Sequence, residues 1–428
     1  MDPLIQLAAG FSAIALGSIA YFMMPISESA KNFNYCVEQK VAYWVKEDGE
    51  LHPWTRSNQV AWCNGKIYKV TVSNLNSKRS INNCIVPVSG SRDSYYIVYF
   101  VKKVLGLNPL LVSYNIHYNT DVGIRNSSYL KTLLGCPMLT LTVSPDKAKK
   151  ITKYTMEKLQ SIYWHCIAGQ TVFPVQIAHK FRIPLIIWGC HQGIDQVGMF
   201  SHHHEVEMTR KYRKEHDLMG FEAEDLLEDK ILNYRDIYQY IYPTDRQISD
   251  VGIRGIYLNN FIRWDTKSQQ ELMIKKYKYE TSNLQRTFDR YSNVDCFHYS
   301  GLHDYIKYLK HGYSVVTDHA TRELRLNRLS RSDGINLINK YNNIFPSDIK
   351  QFSKWINMSE KKMNEFLESI RNKKYWVKRN DEWFLKYPIE KFEIKQKKIN
   401  KFSLKIKEKL DYSSGKKKSS NEHKNKYN

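Results

Sequence analysis

The sequence predicts an α/β protein built on a parallel sheet, with a mainly helical C-terminal region. Three observations carry this. Between residues 81 and 200, short apolar runs rich in β-branched residues alternate with longer helical stretches. The runs are continuously apolar rather than alternating in polarity, the pattern of strands covered on both faces. Beyond residue 200 the strand pattern gives way to polar, aromatic and amphipathic helical stretches.

The first strand is read at 84–88, where Ile85, Val86 and Val88 precede a break into Ser89-Gly90-Ser91. A helix over 93–105 follows. Further strands are expected at 109–114, 138–143 and 183–189, and helices at 126–134, 146–159 and 171–181. In such sheets ligands sit beyond the carboxyl ends of the strands. That rule points to Ser89–Ser94, to 114–118 and to 189–195. Helices are expected at 203–216, 222–229, 267–279 and 301–311, and amphipathic helical structure over 333–371.

This divides the chain into a hydrophobic segment over 1–27, a small β-rich segment over 28–80 and an α/β core over 81–200. A mainly helical region over 201–375 and a Lys-rich tail over 376–428, disordered toward its end, complete it. Residues 3–25 carry no charge, and about 20 apolar residues can span a bilayer. A membrane anchor is expected there, with a buried or interfacial helix as the alternative. Lys31, Lys40 and Lys46 downstream would keep the bulk of the protein cytoplasmic.

The net charge is +22, of which residues 391–428 supply +9, so the body is basic as well. That suits nucleotides, sugar acids or nucleic acid without choosing among them. The seven cysteines are scattered and form no C-x-x-C, which disfavours a disulfide framework and a four-cysteine zinc site.

The strand, small-residue loop and helix at 84–105 have the geometry that holds a phosphate, with an ordinary strand-to-helix turn as the alternative reading of Ser89–Ser94. Small side chains admit close backbone approach, and N–H groups at the helix start face the anion. Arg92 adds charge, and Ser89 and Ser94 add hydroxyls. No Walker A sequence is present. The loop Ser89-Gly90-Ser91-Arg92-Asp93-Ser94 instead resembles the S-G-G-K-D-S PP-loop of ATP pyrophosphatases, with Ser91 for the second Gly and Arg92 for Lys. Three further stretches extend the resemblance. They are Tyr163-Trp164-His165-Cys166-Ile167-Ala168-Gly169-Gln170-Thr171-Val172-Phe173-Pro174, then 183–189 with Cys190-His191-Gln192-Gly193, and Thr317-Asp318-His319-Ala320-Thr321-Arg322. Together they resemble the N-acetyl sugar amidotransferases of bacterial surface-polysaccharide and lipopolysaccharide synthesis, over roughly residues 80–375.

The resemblance implies an adenine nucleotide alpha-hydrolase-like, Rossmann-like fold. It also implies a reaction. ATP adenylates the acetamido oxygen of a nucleotide-linked N-acetyl sugar, and ammonia from a separate glutamine amidotransferase subunit displaces AMP to leave an acetamidino group. Ser89, Gly90, Ser91, Arg92, Asp93 and Ser94 would then hold the pyrophosphate end of ATP. Arg92 and Asp93 would be catalytic, with Asp93 positioning Mg²⁺. Tyr114, Asn115 and Gly189 would meet adenosine. His191, Gln192, Gly193 and Asp195 would close the nucleotide or sugar site, and Asp318 and Arg322 would contact substrate. The family's cysteine pairs are missing: only Cys166 remains of one and the N-terminal pair is absent, which leaves zinc without its ligand pattern.

Other clusters read more plainly. Adjacent His202, His203 and His204 point in different directions on a helix, so with Glu205 they read as a polar helix start rather than a metal site. His165 and Cys166 read as packing rather than a nucleophilic pair. Arg322, Arg325, Arg328 and Arg331 recur every three residues, near one helix face, either gripping a diphosphate or solvated. Two competing functions remain open: a PP-loop enzyme acting on tRNA, for which no separate RNA-binding module is seen, and a non-catalytic, membrane-tethered nucleotide-binding protein.

Overall fold

The computed structural model describes residues 82–191 and 207–391. The chain divides into two compact units, one of Val72–Tyr387 and one of Met1–Thr71 with Pro388–Asn428. The first holds the sheet and the helices. Residues 3–25 and 28–80, and Gln192, Gly193, Asp195 and His202 to Glu205, lie outside the described residues. Among the described residues no helix is long and apolar enough to cross a membrane.

The core is a five-stranded parallel sheet. Its strands are β1 (Cys84–Pro87), β2 (Pro109–Tyr114), β3 (Met138–Leu141), β4 (Leu185–Trp188) and β5 (Arg254–Tyr257), in the order β3-β2-β1-β4-β5. Cys84, Ile85 and Val86 are all fully buried, so both sheet faces are covered. The chain winds outward from β1 to β3, then returns to build β4 and β5 on the other side. Strand order therefore reverses between β1 and β4, opening a crevice at their carboxyl ends.

The connecting helices follow the expected alternation. Helix α1 (Arg92–Tyr99) ends in a wider turn over Phe100–Val104. Helix α2 (Asp121–Leu134) starts five residues before the expected 126 because Thr120 caps it, its hydroxyl accepting the Gly123 N–H at 3.0 Å. Helix α3 (Pro145–Leu159) opens on a proline, whose missing N–H costs nothing in a first turn. Helix α4 (Trp164–Phe181) packs on β1, β2 and β4. It starts earlier than the expected 171 and so carries His165 and Cys166. The fifth strand is absent from the sequence expectation. It is four residues long, Arg-Gly-Ile-Tyr, too short and too mixed to show a period.

The C-terminal region is helical: α5 (Asp245–Val251), α6 (Thr266–Tyr277), α7 (Asp304–His311), α8 (Val315–Arg325), α9 (Arg331–Asn342), α10 (Ile349–Ile356) and α11 (Glu360–Ser369). The expected helix over 222–229 is a single tight turn, Glu224–Leu227. The four arginines do not share a helix face, because α8 stops at Arg325 and Arg331 begins α9. The stretch grouped with the Lys-rich tail from residue 376 opens with an antiparallel hairpin, β6 (Trp376–Arg379) and β7 (Glu382–Leu385). Its turn residues Asn380 and Asp381 both have positive φ, as a two-residue hairpin turn demands.

A buried carboxyl in this region gives a stability prediction. The Asp348 side chain sits against Gly301, and burial pushes its pKa from 3.8 up to about 7. Raised in the folded state, it favours folding below the unfolded pKa and loses that contribution as pH rises from about 4 to 7. Asp348→Asn should remove this dependence. The variant is expected to be more stable than wild type at pH 8 by on the order of 2 kcal/mol, with no gain at pH 4. Denaturant unfolding at the two pH values checks this.

Candidate functional site

The site forms where the β1 loop meets the carboxyl end of β4. Gly90 sits at φ +88°, a conformation only glycine adopts freely, and a Cβ there would lie 2.8 Å from the Gly123 carbonyl oxygen. The loop bonds to itself: the Ser89 N–H donates to Ser94 Oγ at 3.0 Å, and the Ser91 N–H to Ser89 Oγ at 3.2 Å. Helix α1 then begins at Arg92, where first-turn N–H groups have no partner within the helix. Gly189 follows β4 directly above α1. A Cβ there would stand 2.4 Å from Ile97 Cδ1 and 3.5 Å from Asp93 Cβ, so a bare backbone is required. The loop and Gly189, far apart in sequence, thus share one crevice.

Arg92 and Asp93 pair with each other, Nε to Oδ1 at 3.0 Å. The Arg92 Nη1 also donates to Ser292 Oγ at 2.9 Å. That serine belongs to an irregular segment, 278–298, that threads beside the loop. Its Asp295 carboxyl lies close to the Ser89 and Ser91 hydroxyls, and its backbone packs against Gly123 at the start of α2. Burial pushes the Asp295 carboxyl up to about 6; the two serine hydroxyls oppose this and the neighbouring Asp93 charge adds to it. In the same segment Asp289 is held the other way. Burial raises its pKa, but His319, Arg322 and Arg92 outweigh that and keep the carboxyl well below the usual range.

The predicted residues therefore divide. Ser89, Gly90, Ser91, Arg92, Asp93, Ser94 and Gly189 come together. His191 lies nearby, its N–H donating to Asn259 Oδ1 at 3.0 Å and its ring edge-on to Tyr257. Asn115 is half-buried after β2, its side chain bonded to the His117 N–H, Asn119 and Thr142. Tyr114 does not face the crevice. It closes β2, and its hydroxyl lies in the core, 2.7 Å from Tyr240 Oη and 3.1 Å from His165 Nδ1. Asp318 is buried against Lys307, and Arg322 is bonded to Asp289 and Glu323. Removing the Tyr114 hydroxyl as Tyr114→Phe should cost about 1 kcal/mol of stability, checked by thermal melting.

Cys166 Sγ lies 3.4 Å from His165 Nε2, but both side chains are fully buried. Burial lowers the His165 pKa to about 3 and holds the Cys166 thiol well above its usual value, so both are neutral. Among the described residues no group of three or more His, Cys, Asp or Glu side chains is arranged to hold a metal.

Sequence reasoning does not reach Asp289, Ser292, Asp295 and Asn259. All four lie in irregular or very short segments, where no periodicity marks a role, and they reach the site only through the tertiary fold.

No curated protein matches the chain. Residues 285–393 match the family model described as LPS biosynthesis protein WbpG-like, C-terminal domain, a likeness that ties this part of the chain to lipopolysaccharide biosynthesis. The matched stretch begins four residues before Asp289 and contains Ser292, Asp295, Asp318 and Arg322.

Proposed function

We propose that the protein is an ATP-dependent amidotransferase that converts the acetamido group of a nucleotide-linked N-acetyl sugar to an acetamidino group in lipopolysaccharide synthesis. One observation carries this reading. The stretch that resembles a lipopolysaccharide-biosynthesis family places Ser292 and Asp295 directly on the Ser-Gly-Ser-Arg-Asp-Ser loop.

The chemistry suits that arrangement. An amide oxygen is a poor leaving group. Its attack on the α-phosphorus of ATP releases pyrophosphate and makes it a good one; ammonia then adds at the amide carbon, AMP leaves with the oxygen, and a proton is lost. The loop and the first turn of α1 bind the departing phosphates, and Arg92 supplies the charge. Asp93 and Asp295 are hard oxygen donors close enough for the Asp93 charge to raise the Asp295 pKa, which suits Mg²⁺. That ion, when bound, would neutralise phosphate charge. The basic body favours a diphosphate-linked substrate. A partner glutaminase would supply ammonia.

The test uses the full chain with ATP, Mg²⁺, an ammonium salt and a panel of nucleotide-linked N-acetyl sugars, read by mass spectrometry. Sugar-dependent AMP with a product about one mass unit lighter supports the reading. AMP formed without a sugar change, or no AMP at all, overturns it.

A further inference from the structure

Asp289 lies on no helix or strand, yet it is 5% exposed and both carboxylate oxygens are engaged, each in a different task. Oδ1 accepts the backbone N–H of Tyr291 at 2.7 Å and of Ser292 at 3.0 Å, folding the chain into a tight turn over 289–292. Oδ2 takes the Arg322 guanidinium, with His319 Nε2 4.0 Å away. Thr287 closes the arrangement. Its Oγ1 accepts the Asp289 N–H at 3.2 Å and is hydrogen-bonded to His319 Nδ1 at 2.7 Å. One oxygen therefore shapes the turn, and the other ties the turn to α8.

The turn ends on Ser292, whose hydroxyl accepts Arg92 Nη1 at 2.9 Å while Asp93 takes Nε at 3.0 Å. A long arginine side chain has many rotamers. Held at two points it is pre-organised, and less freedom is lost when an anion arrives. The route from α8 to the loop is thus Arg322 and His319 to Asp289, Asp289 to Ser292, and Ser292 to Arg92.

We propose that Asp289 is a positioning residue: it sets Ser292 so that Ser292 aims the Arg92 guanidinium at the anion-binding loop, and Arg322 is its anchor rather than a substrate contact. This role rests on the reading of the loop as an ATP phosphate site. It assigns the Thr-Asp-His-Ala-Thr-Arg element a place in the site's support.

The experiment is a double-mutant cycle on the full chain, with ATP dissociation constants read by titration calorimetry and folding read by melting. Ser292→Ala is expected to weaken ATP binding about fivefold with little change in melting temperature, the loss of one hydrogen bond to a charged group. In an Arg92→Ala background the same change should have no further effect, because its consequence passes through Arg92. Asp289→Asn keeps the Oδ1 acceptor that shapes the turn, so it should retain ATP affinity better than Asp289→Ala even where both lower the melting temperature. A merely structural aspartate would give no such split. A Ser292→Ala variant that binds ATP as wild type does, or that costs the same with and without Arg92, overturns the role while the nucleotide reading stands. Failure of the wild-type chain to bind ATP overturns both.

Discussion

Replacing Arg286 by alanine is expected to lower the melting temperature by about 10 °C, a larger stability loss than the Tyr114 change would bring. Arg286 is fully buried. Its Nε donates to Asp304 Oδ2 at 2.7 Å, and its Nη1 donates to the carbonyls of Asn342, at 3.1 Å, and Ile344. The guanidinium also lies over the rings of Tyr305 and Tyr308. The other oxygen of Asp304 accepts the Val315 N–H at 2.6 Å, at the start of α8. One guanidinium thus joins α7, the start of α8 and the end of α9. Alanine would leave the buried Asp304 carboxylate without its counter-charge and the Asn342 and Ile344 carbonyls without this donor, and breaking one side of a buried pair costs about 3–5 kcal/mol. Replacing both partners, as Arg286→Met with Asp304→Leu, should cost less than Arg286→Ala alone. Thermal unfolding of the three variants checks the order. A double variant less stable than the single one would show that the charge itself, rather than its desolvated partner, governs the effect.

The second large effect is on activity. On the proposed amidotransferase reaction, Gly90→Ala is expected to reduce ATP-dependent AMP formation about 100-fold, the scale of loss that a displacement of about 1 Å causes at a reacting centre. Positive φ at residue 90 already strains any other residue. The added carbon would meet the Gly123 carbonyl oxygen at 2.8 Å and Ser127 Cβ at 3.2 Å. The Gly123 carbonyl cannot retreat, because Gly123 is itself pressed against the Asp295 backbone. The loop must therefore move, and with it the Ser89 and Ser91 hydroxyls. Steady-state AMP release and a circular dichroism melt together decide the case. An active Gly90→Ala protein would mean that the phosphates bind elsewhere.

The β1–β4 core is legible in the sequence because its signals are local. Ile85, Val86 and Val88, Leu110 to Val112, and Leu185 to Ile187 form continuous apolar runs, and the Ser-Gly-Ser break after β1 marks the loop within six residues. Strand β5 is not legible, since four residues carrying an Arg and a Gly show no period. The four arginines from Arg322 to Arg331 mislead for a related reason. Three-residue spacing suggests one face, but nothing in that spacing says where a helix stops. Tyr114 is expected in the crevice from its place at the end of a strand. Alternation along β2 instead points its ring at α4, where Gly169 makes room for it.

By itself, then, the sequence determined the alternating α/β core, the helical region after it and a small-residue loop with a cation and an acid at its end. Each depends on neighbours within a few positions, where side-chain period and turn chemistry act. Only the tertiary structure decided what stands around that loop. Asp289, Ser292 and Asp295 lie about 200 residues away in an irregular segment without a period. They are brought there by Gly123, which admits the Asp295 backbone, and by Arg322, which holds Asp289 from α8. Long-range packing of this kind leaves no local pattern, because the forces that select it act between residues the chain keeps far apart.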